Sequence, residues 1–443
     1  MQHAENTWDC IVIGGGASGM MAAGRAAECG ARVLLLEKNR RLGEKLRITG
    51  GGRCNVTNAT FDRHLLTSRY GDQGKSLHSL FARFTPENMR EFLRRYDLET
   101  KVEAEQRVFP VTDSAESVHR VLSRYMKEGG VTVRTATPVH SLLPTQVDQD
   151  GKHLVPGVQT GRGETIRGRT IILATGGTSH PETGSTGDAY PWLRELGLEA
   201  HDVDVSLVPI QVPDRWITVL QGLAMEDAGL IVEQYADSAS TPKPSLPVRD
   251  HAAWANAKRA MVRRGKLLFT HFGLSGPLAL NAARDLRALA ADGPIRLRID
   301  LMPARSEEEF RNDIQEAIGT AGGTILKTLL KQWLPPRLVS AVCDLCELDP
   351  QIKLAGLSKA QRQLIGATIK GLPCSFGGLM GTDRAVVSSG GLDPVAVDFR
   401  TMQVRDFTNL YVLGDLLDFN RQSGGYSLQI CWASGWVAGS HVG

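Results

Sequence analysis

Glycines, carboxylates and amide-rich turns recur along this chain at spacings suited to gripping a dinucleotide. In Gly14-x-Gly16-x-x-Gly19 the first glycine permits a tight turn. The second leaves a pyrophosphate room to approach, and the third lets a helix close on a strand. At that helix start, the amides of Ala17 and Ser18 offer unpaired donors and the positive end of a dipole to a dianion. Glu37 stands where a carboxylate accepts hydrogen bonds from ribose hydroxyls, and its charge repels a 2′-phosphate. The ligand expected here carries a plain adenosine ribose, as FAD and NAD do.

The elements that must position these groups are legible around them. Cys10, Val12 and Ile13 form a buried-strand pattern, and Met20, Ala23, Ala26 and Ala27 an apolar helical one. Gly30 marks the helix end, and Val33–Leu36 the second strand of a βαβ unit. Lys38 and Lys45 then open a basic stretch that leads into Gly51-Gly52-Arg53-Cys54-Asn55, a run suited to backbone wrapped round a phosphate or a flat ring. A short strand from Val139 is expected to return to the adenine edge. An apolar strand ending in Ala174-Thr175-Gly176-Gly177 predicts a second backbone approach to the dinucleotide, and the hydroxyl-rich loop Pro181–Asp188 either caps the next helix or faces the ring. Near the C-terminus, a strand ends in Gly414-Asp415. That carboxylate suits a ribityl hydroxyl, which FAD has and NAD lacks. Gly424-Gly425-Tyr426-Ser427 opens a last helix whose dipole favours an anionic reduced flavin.

Three residues are candidates for the catalytic chemistry. His271 lies in a polar loop, Thr270–Ser275, before a helix, and histidine suits proton transfer near neutrality. Tyr426 stands at the start of the last helix. Cys54 is a lone thiol where flavin disulfide reductases carry a pair, so a dithiol relay is not expected, and a buried filler is its alternative reading. Cys343-x-x-Cys346 falls in a helical pattern with no second pair, so no metal site is expected.

With 443 residues the chain should form more than one domain. Its 51 basic and 48 acidic residues, net +3, are too balanced to argue for nucleic acid by themselves. The basic cluster within 243–266 reads either as a solvated face or as a phosphate contact. No run is long and apolar enough to span a bilayer, and Met1–Trp8 carries no signal-peptide core, so the cytoplasm is the expected compartment. The βα rhythm of the first segment is lost from about Ser206 to Lys370. The expected architecture is therefore α/β: a discontinuous dinucleotide-binding Rossmann domain over 1–205 and 371–443, interrupted by a β-rich insertion, 206–305, and a helical portion, 306–370. Leu207–Val212 is expected as a strand, and Glu307–Leu330 as a helix.

In these motifs the chain resembles the BaiN/YhiN-type family of FAD-dependent oxidoreductases. The resemblance spans nearly its whole length and rests on IGGGASGMMAA, GGGRCNVTN, ATGGTSHPETGSTGDAY, LLFTHFGLSGP, LGDLLDFN and SGGYSLQ. Ser427, and the loop of residues 418–423 without its commoner glycine, depart from the family pattern. The resemblance implies a glutathione-reductase-like FAD domain with a β-barrel-like and helical insertion. It also implies reduction of a carbon–carbon double bond conjugated to a carbonyl, on a steroid enone or on uridine of ribosomal RNA. No second strand-linked Gly-x-Gly-x-x-Gly is present, so NAD(P)H is expected to be a transient electron donor without a domain of its own. Two other readings are a flavin amine or alcohol oxidase, and an RNA-binding protein with structural FAD.

Overall fold

The computed structural model describes residues 7–234, 258–381 and 387–442. They divide into two compact units, one running to Ser206 and resuming after Gly381, the other comprising Leu207–Gly381.

The first unit is built on a parallel sheet. Its strands lie in the order Leu410–Val412, Thr165–Leu173, Thr7–Ile13, Val33–Leu36, Thr132–Arg134. The inner strands are apolar on both faces and buried, as a sheet covered on two sides requires. Ile13 pairs with Leu173 and Leu36, and Leu173 with Val412. The carboxyl ends of four strands therefore finish in register, and the loops that follow leave the sheet at one level. An antiparallel meander, Val139–Leu142 and Gly157–Thr160, extends from the strand Thr165–Leu173.

Two helices from opposite ends of the chain, Ala17–Glu28 and Tyr426–Gly439, pack against each other backbone to backbone. A Cβ on Gly435 would lie 2.6 Å from the Ser18 carbonyl oxygen, and one on Gly439 2.6 Å from that of Ala22. The last helix, Tyr426–Gly439, is apolar all round and almost wholly buried, the pattern of a core helix.

The second unit is an antiparallel seven-stranded sheet with the order Leu372–Ser375, Ile295–Asp300, Ala224–Gln234, Lys258–Phe269, Gly273–Ser275, Ile210–Gln211, Gly378–Leu379. Its two outermost strands are separated in the chain by only Phe376 and Gly377. The sheet must curl until its edges meet, which makes it barrel-like. Leu230, Leu297, Phe310, Leu338 and Ile369 belong to one core, so the helices of the expected 306–370 portion share their interior with the barrel.

The structure corrects the sequence reading at four points. The return to the first unit comes after 381 rather than at 371, because Leu372–Ser375 pairs with Ile295–Asp300. Of Leu207–Val212 only Ile210–Gln211 is strand, since Leu207 takes a left-handed φ of 54°. The helix expected over Glu307–Leu330 stops at Ala321 and resumes at Leu326; Gly322 and Gly323 between them are poor helix formers. Of the two readings of the loop Pro181–Asp188, the capping one is not met at the N-cap position: the Asp188 side chain does not cap the helix Ala189–Glu195, and its carboxylate accepts from Lys38. Residues 243–257 of the basic cluster lie outside the described residues. Among the described residues no helix is long and apolar enough to cross a membrane.

Candidate functional site

The first strand turns at Gly14, whose φ of +103° only glycine adopts readily. Its amide donates to the Leu36 carbonyl at 2.8 Å. Gly15 N donates to Glu37 Oε2 and Asn39 N to Glu37 Oε1, both at 2.7 Å. Glu37 thus ties the glycine turn to the second strand tip. Burial pushes its carboxyl up, against the pull of these two amides. One lone pair on each oxygen remains for an incoming hydroxyl.

Gly16 caps the helix Ala17–Glu28 in an extended conformation with no side-chain cap, so first-turn amides keep unused donors. A Cβ built on Gly16 meets nothing within 4 Å, whereas one on Gly19 would overlap the Gly14 carbonyl. One glycine borders open space and the other seals the helix against the turn.

At the next strand end, Ala174 N donates to the Ile13 carbonyl at 2.9 Å. Thr175 Oγ1 is buried with no partner among the described residues, and so is the hydroxyl of Tyr190. Buried hydroxyls without partners are costly, and those beside this turn fit a polar ligand along Ala174–Gly177. The loop after Gly177 is laid against the second strand tip: Lys38 Nζ donates to Asp188 Oδ2 (2.7 Å) and Thr186 Oγ1 (2.5 Å), and Asn39 Nδ2 to the Thr183 carbonyl. Thr137 N donates to the Glu37 carbonyl at 2.9 Å, which brings the segment just before Val139 to the same edge.

Gly414 packs between the start of the first helix and the middle of the last. A Cβ there would lie 2.9 Å from Ser18 Oγ and 3.1 Å from Cys431 Sγ. Asp415 Oδ1 accepts from Arg421 Nη1 at 2.6 Å, and Oδ2 from Lys45 Nζ at 3.2 Å. Lys45 also donates to Ser179 Oγ at 2.6 Å. Burial opposes ionisation of Asp415, but Lys45 and Arg421 outweigh it and hold the carboxyl below its ordinary range. The guanidinium of Arg421 is wholly enclosed, and its Nη2 also donates to the Leu417 carbonyl at 3.0 Å. This cluster therefore holds two cations and one carboxylate.

The last helix begins at Gly425, with φ +105° and no side-chain cap. A Cβ at Gly425 would overlap the backbone of Thr57. Asn58 Nδ2 donates to the Gly424 carbonyl at 3.0 Å. With its side-chain amide turned to satisfy both ends, Asn55 accepts from Gly425 N at 3.0 Å. Gln429, fully buried, accepts from Thr57 Oγ1 at 2.7 Å. The run containing Gly51, Gly52 and Asn55 thus leads directly to the start of the last helix. Ser427 lies half-buried in its first turn. Tyr426 is buried, with its hydroxyl 3.3 Å from Thr60 Oγ1 and its carbonyl accepting from Tyr70 at 2.8 Å.

The other sequence candidates fall as follows. Arg53 pairs with Glu103 and Asp113 and lies over the Phe109 ring at 4.1 Å. Cys54 is fully buried, and burial pushes its thiol up to about 12. His271 belongs to the second unit, exposed between the strands Lys258–Phe269 and Gly273–Ser275, with its ring edge-on to Phe272. Cys343 and Cys346 are buried, and burial raises the Cys343 thiol to about 11. Sequence reasoning missed Arg421, Ser179, Tyr190 and Gln429. Only the first left a signal, the missing glycine in the loop of residues 418–423.

Comparison with known proteins places the chain by family and fold. Residues 8–441 match the family model described as HI0933-like protein Rossmann domain. The chain is 29% identical to the ribosomal RNA dihydrouridine synthase of Escherichia coli, over 97% of this chain and 96% of that protein. It is 26% identical to a 3-dehydro-bile acid delta(4,6)-reductase of Clostridium scindens, over 97% of each. Among solved structures it resembles the 3-ketosteroid delta1-dehydrogenase of Sterolibacterium denitrificans, with a TM-score of 0.52 at 15% identity and 99% of both chains covered, a likeness of fold.

Proposed function

The chain belongs to the HI0933-like Rossmann-domain family and is an oxidoreductase on an FAD-binding Rossmann fold; on that premise we propose that it reduces a carbon–carbon double bond conjugated to a carbonyl, with NAD(P)H as electron donor. The observation that carries this reading is the convergence of Glu37, the uncapped helix start at Gly16, the Thr175 turn and the Lys45–Asp415–Arg421 cluster around strand ends in register. In open α/β sheets ligands lie outside the carboxyl ends of the strands.

The residues divide the work of holding FAD. The Ala17 and Ser18 amides suit the pyrophosphate and Glu37 the adenosine ribose. Thr175 to Gly177 present backbone and one orphaned hydroxyl. Asp415, fixed by two cations, is set to accept from a ribityl hydroxyl. The amides opening the last helix offer a positive dipole end to negative charge. When bound and reduced, the flavin supplies hydride to the electron-poor carbon of the conjugated bond. His271 is assigned the proton for the neighbouring carbon, since imidazole exchanges protons near neutrality, and Tyr426 is its alternative. The enclosed Cys54 thiol is suited to packing rather than to nucleophilic work.

The Escherichia coli and Clostridium scindens relatives share one chemistry by name, because the C5=C6 bond of uracil is itself conjugated to a carbonyl. A uridine of ribosomal RNA is therefore the second substrate reading, favoured by the 29% identity to the Escherichia coli ribosomal RNA dihydrouridine synthase over 97% of this chain. The test is anaerobic mixing of the yellow protein with NADH or NADPH, followed by enones or ribosomal RNA. Bleaching by the nicotinamide and recovery of colour with a saturated product support the reading. Recovery only with oxygen, at the expense of an amine or alcohol, points to an oxidase.

A further inference from the structure

The second unit carries a groove that the flavin chemistry does not use. Its middle strand, Lys258–Phe269, places Lys258, Arg259, Arg263, Arg264 and Lys266 within nine residues and no acid among them. Cross-strand register sets Arg264 opposite Gly229 and Gly229 opposite Asp300; two residues along, Val262, Ile231 and Arg298 form the next row. Residues two apart share a face, so these rows line one side of the sheet. In the first row Asp300 closes over Gly229, where a Cβ would lie 2.9 Å from the Asp300 Cβ. The two rows border a cavity of about 620 Å³.

The charges are not equally available. Lys370 is spent on Asp300 and the carbonyls of Met302 and Arg305. Arg264 donates from Nε and Nη2 to Asp227, each at 2.6 Å, which fixes the guanidinium plane and leaves the Nη1 donors out of that pairing. Its side chain is 54% exposed, and Arg259, two rows away opposite Glu233, is exposed as well. A lattice of surface ion pairs alone would be a solvated face. What separates this groove from such a face is Val262, which stands 56% exposed above the buried Ile231. An exposed aliphatic side chain between arginines offers apolar contact to a base whose neighbouring phosphates lie on the guanidiniums; a simple anion has no use for that apolar contact.

We infer that this groove is a docking surface for single-stranded RNA, with a base against Val262 and backbone phosphates on Arg259 and Arg264. The inference rests on the ribosomal RNA reading of the substrate and deepens it.

The test is fluorescence anisotropy of a labelled single-stranded oligouridylate with the FAD-loaded full chain across a salt series. Wild type should bind with a steep salt dependence. Arg259→Gln/Arg264→Gln should bind at least about tenfold more weakly at ~50 mM salt, with the log–log salt slope lower by about 1.4. Val262→Asp should weaken binding too, while all variants keep their flavin spectrum and melting temperature. Failure of wild type to bind, or a double variant with unchanged affinity and slope, overturns the inference. Complete displacement of the probe by inorganic phosphate or uridine monophosphate also overturns it, in favour of a small-anion site. Dihydrouridine assayed in ribosomal RNA separates the two levels. Product formed by wild type, with variants unchanged in binding, sinks the groove and spares the substrate reading. RNA held in the groove without any dihydrouridine sinks the substrate reading and spares the groove.

Discussion

Lys45 Nζ lies 3.2 Å from Asp415 Oδ2, across 370 residues of chain. The opposite oxygen of the same carboxylate accepts from the enclosed Arg421 at 2.6 Å. This cluster joins the chain's two ends at the place assigned to the ribityl chain.

Removing its anion should be expensive. Asp415→Ala leaves a buried guanidinium uncompensated and should cost about 3–5 kcal/mol, read as a lower urea midpoint of the apoprotein with an unchanged slope. Asp415→Asn/Arg421→Met removes both charges and should recover most of that loss. A double variant as unstable as Asp415→Ala contradicts the pairing.

Gly16 and Gly19 should fail in opposite ways. A Cβ at Gly16 enters open space, so Gly16→Ala should change apoprotein stability by about 1 kcal/mol or less yet lower retained flavin. A Cβ at Gly19 strikes the Gly14 carbonyl, and Gly19→Ala should cost about 1–3 kcal/mol through overpacking. Flavin content and melting temperature, measured together, distinguish the two.

Thiol chemistry should be silent at Cys54. Cys29 is exposed and the other six cysteines are buried. Iodoacetamide on native protein should label Cys29 alone, by peptide mapping, and Cys54→Ala should retain product formation. Rapid labelling of Cys54, or a large loss of turnover in that variant, contradicts its packing role.

Stability should also carry a histidine signature. His201 Nδ1 lies 2.7 Å from Asp418 Oδ2, and this hydrogen bond raises the imidazole above its ordinary value. A folded pKa above the unfolded one gives stability that is complete in acid and lost as pH rises through the folded value. The loss should begin near pH ~6.5 and stay under about 1 kcal/mol, because the pair is partly exposed. His201→Gln should flatten that stretch of the urea-midpoint profile; an unchanged profile removes the assignment.

What the sequence made legible was local. Gly14 to Glu37 carries its strand, turn, helix and acidic tip within one contiguous unit, and the Ala174 and Gly414 turns each follow an apolar strand. Hidden features depended on partners far away in the chain. Arg421 looks like an ordinary loop arginine until Asp415 is folded beneath it, and Asp188 looks like a helix cap until Lys38 claims it. The boundary at 371 was misplaced because Leu372–Ser375 has strand composition in either unit, and only pairing with Ile295–Asp300 decides. Leu207 broke its expected strand through a backbone conformation that residue type does not announce.

The most direct measurement is anaerobic reductive titration of the purified chain after reconstitution with FAD. Stoichiometric flavin, bleached by NADH or NADPH and restored by an enone or by uridine-bearing ribosomal RNA with saturation of its double bond, is the predicted result. A chain that retains no flavin, or a flavin that neither nicotinamide can reduce and no conjugated double bond can reoxidise, contradicts the account.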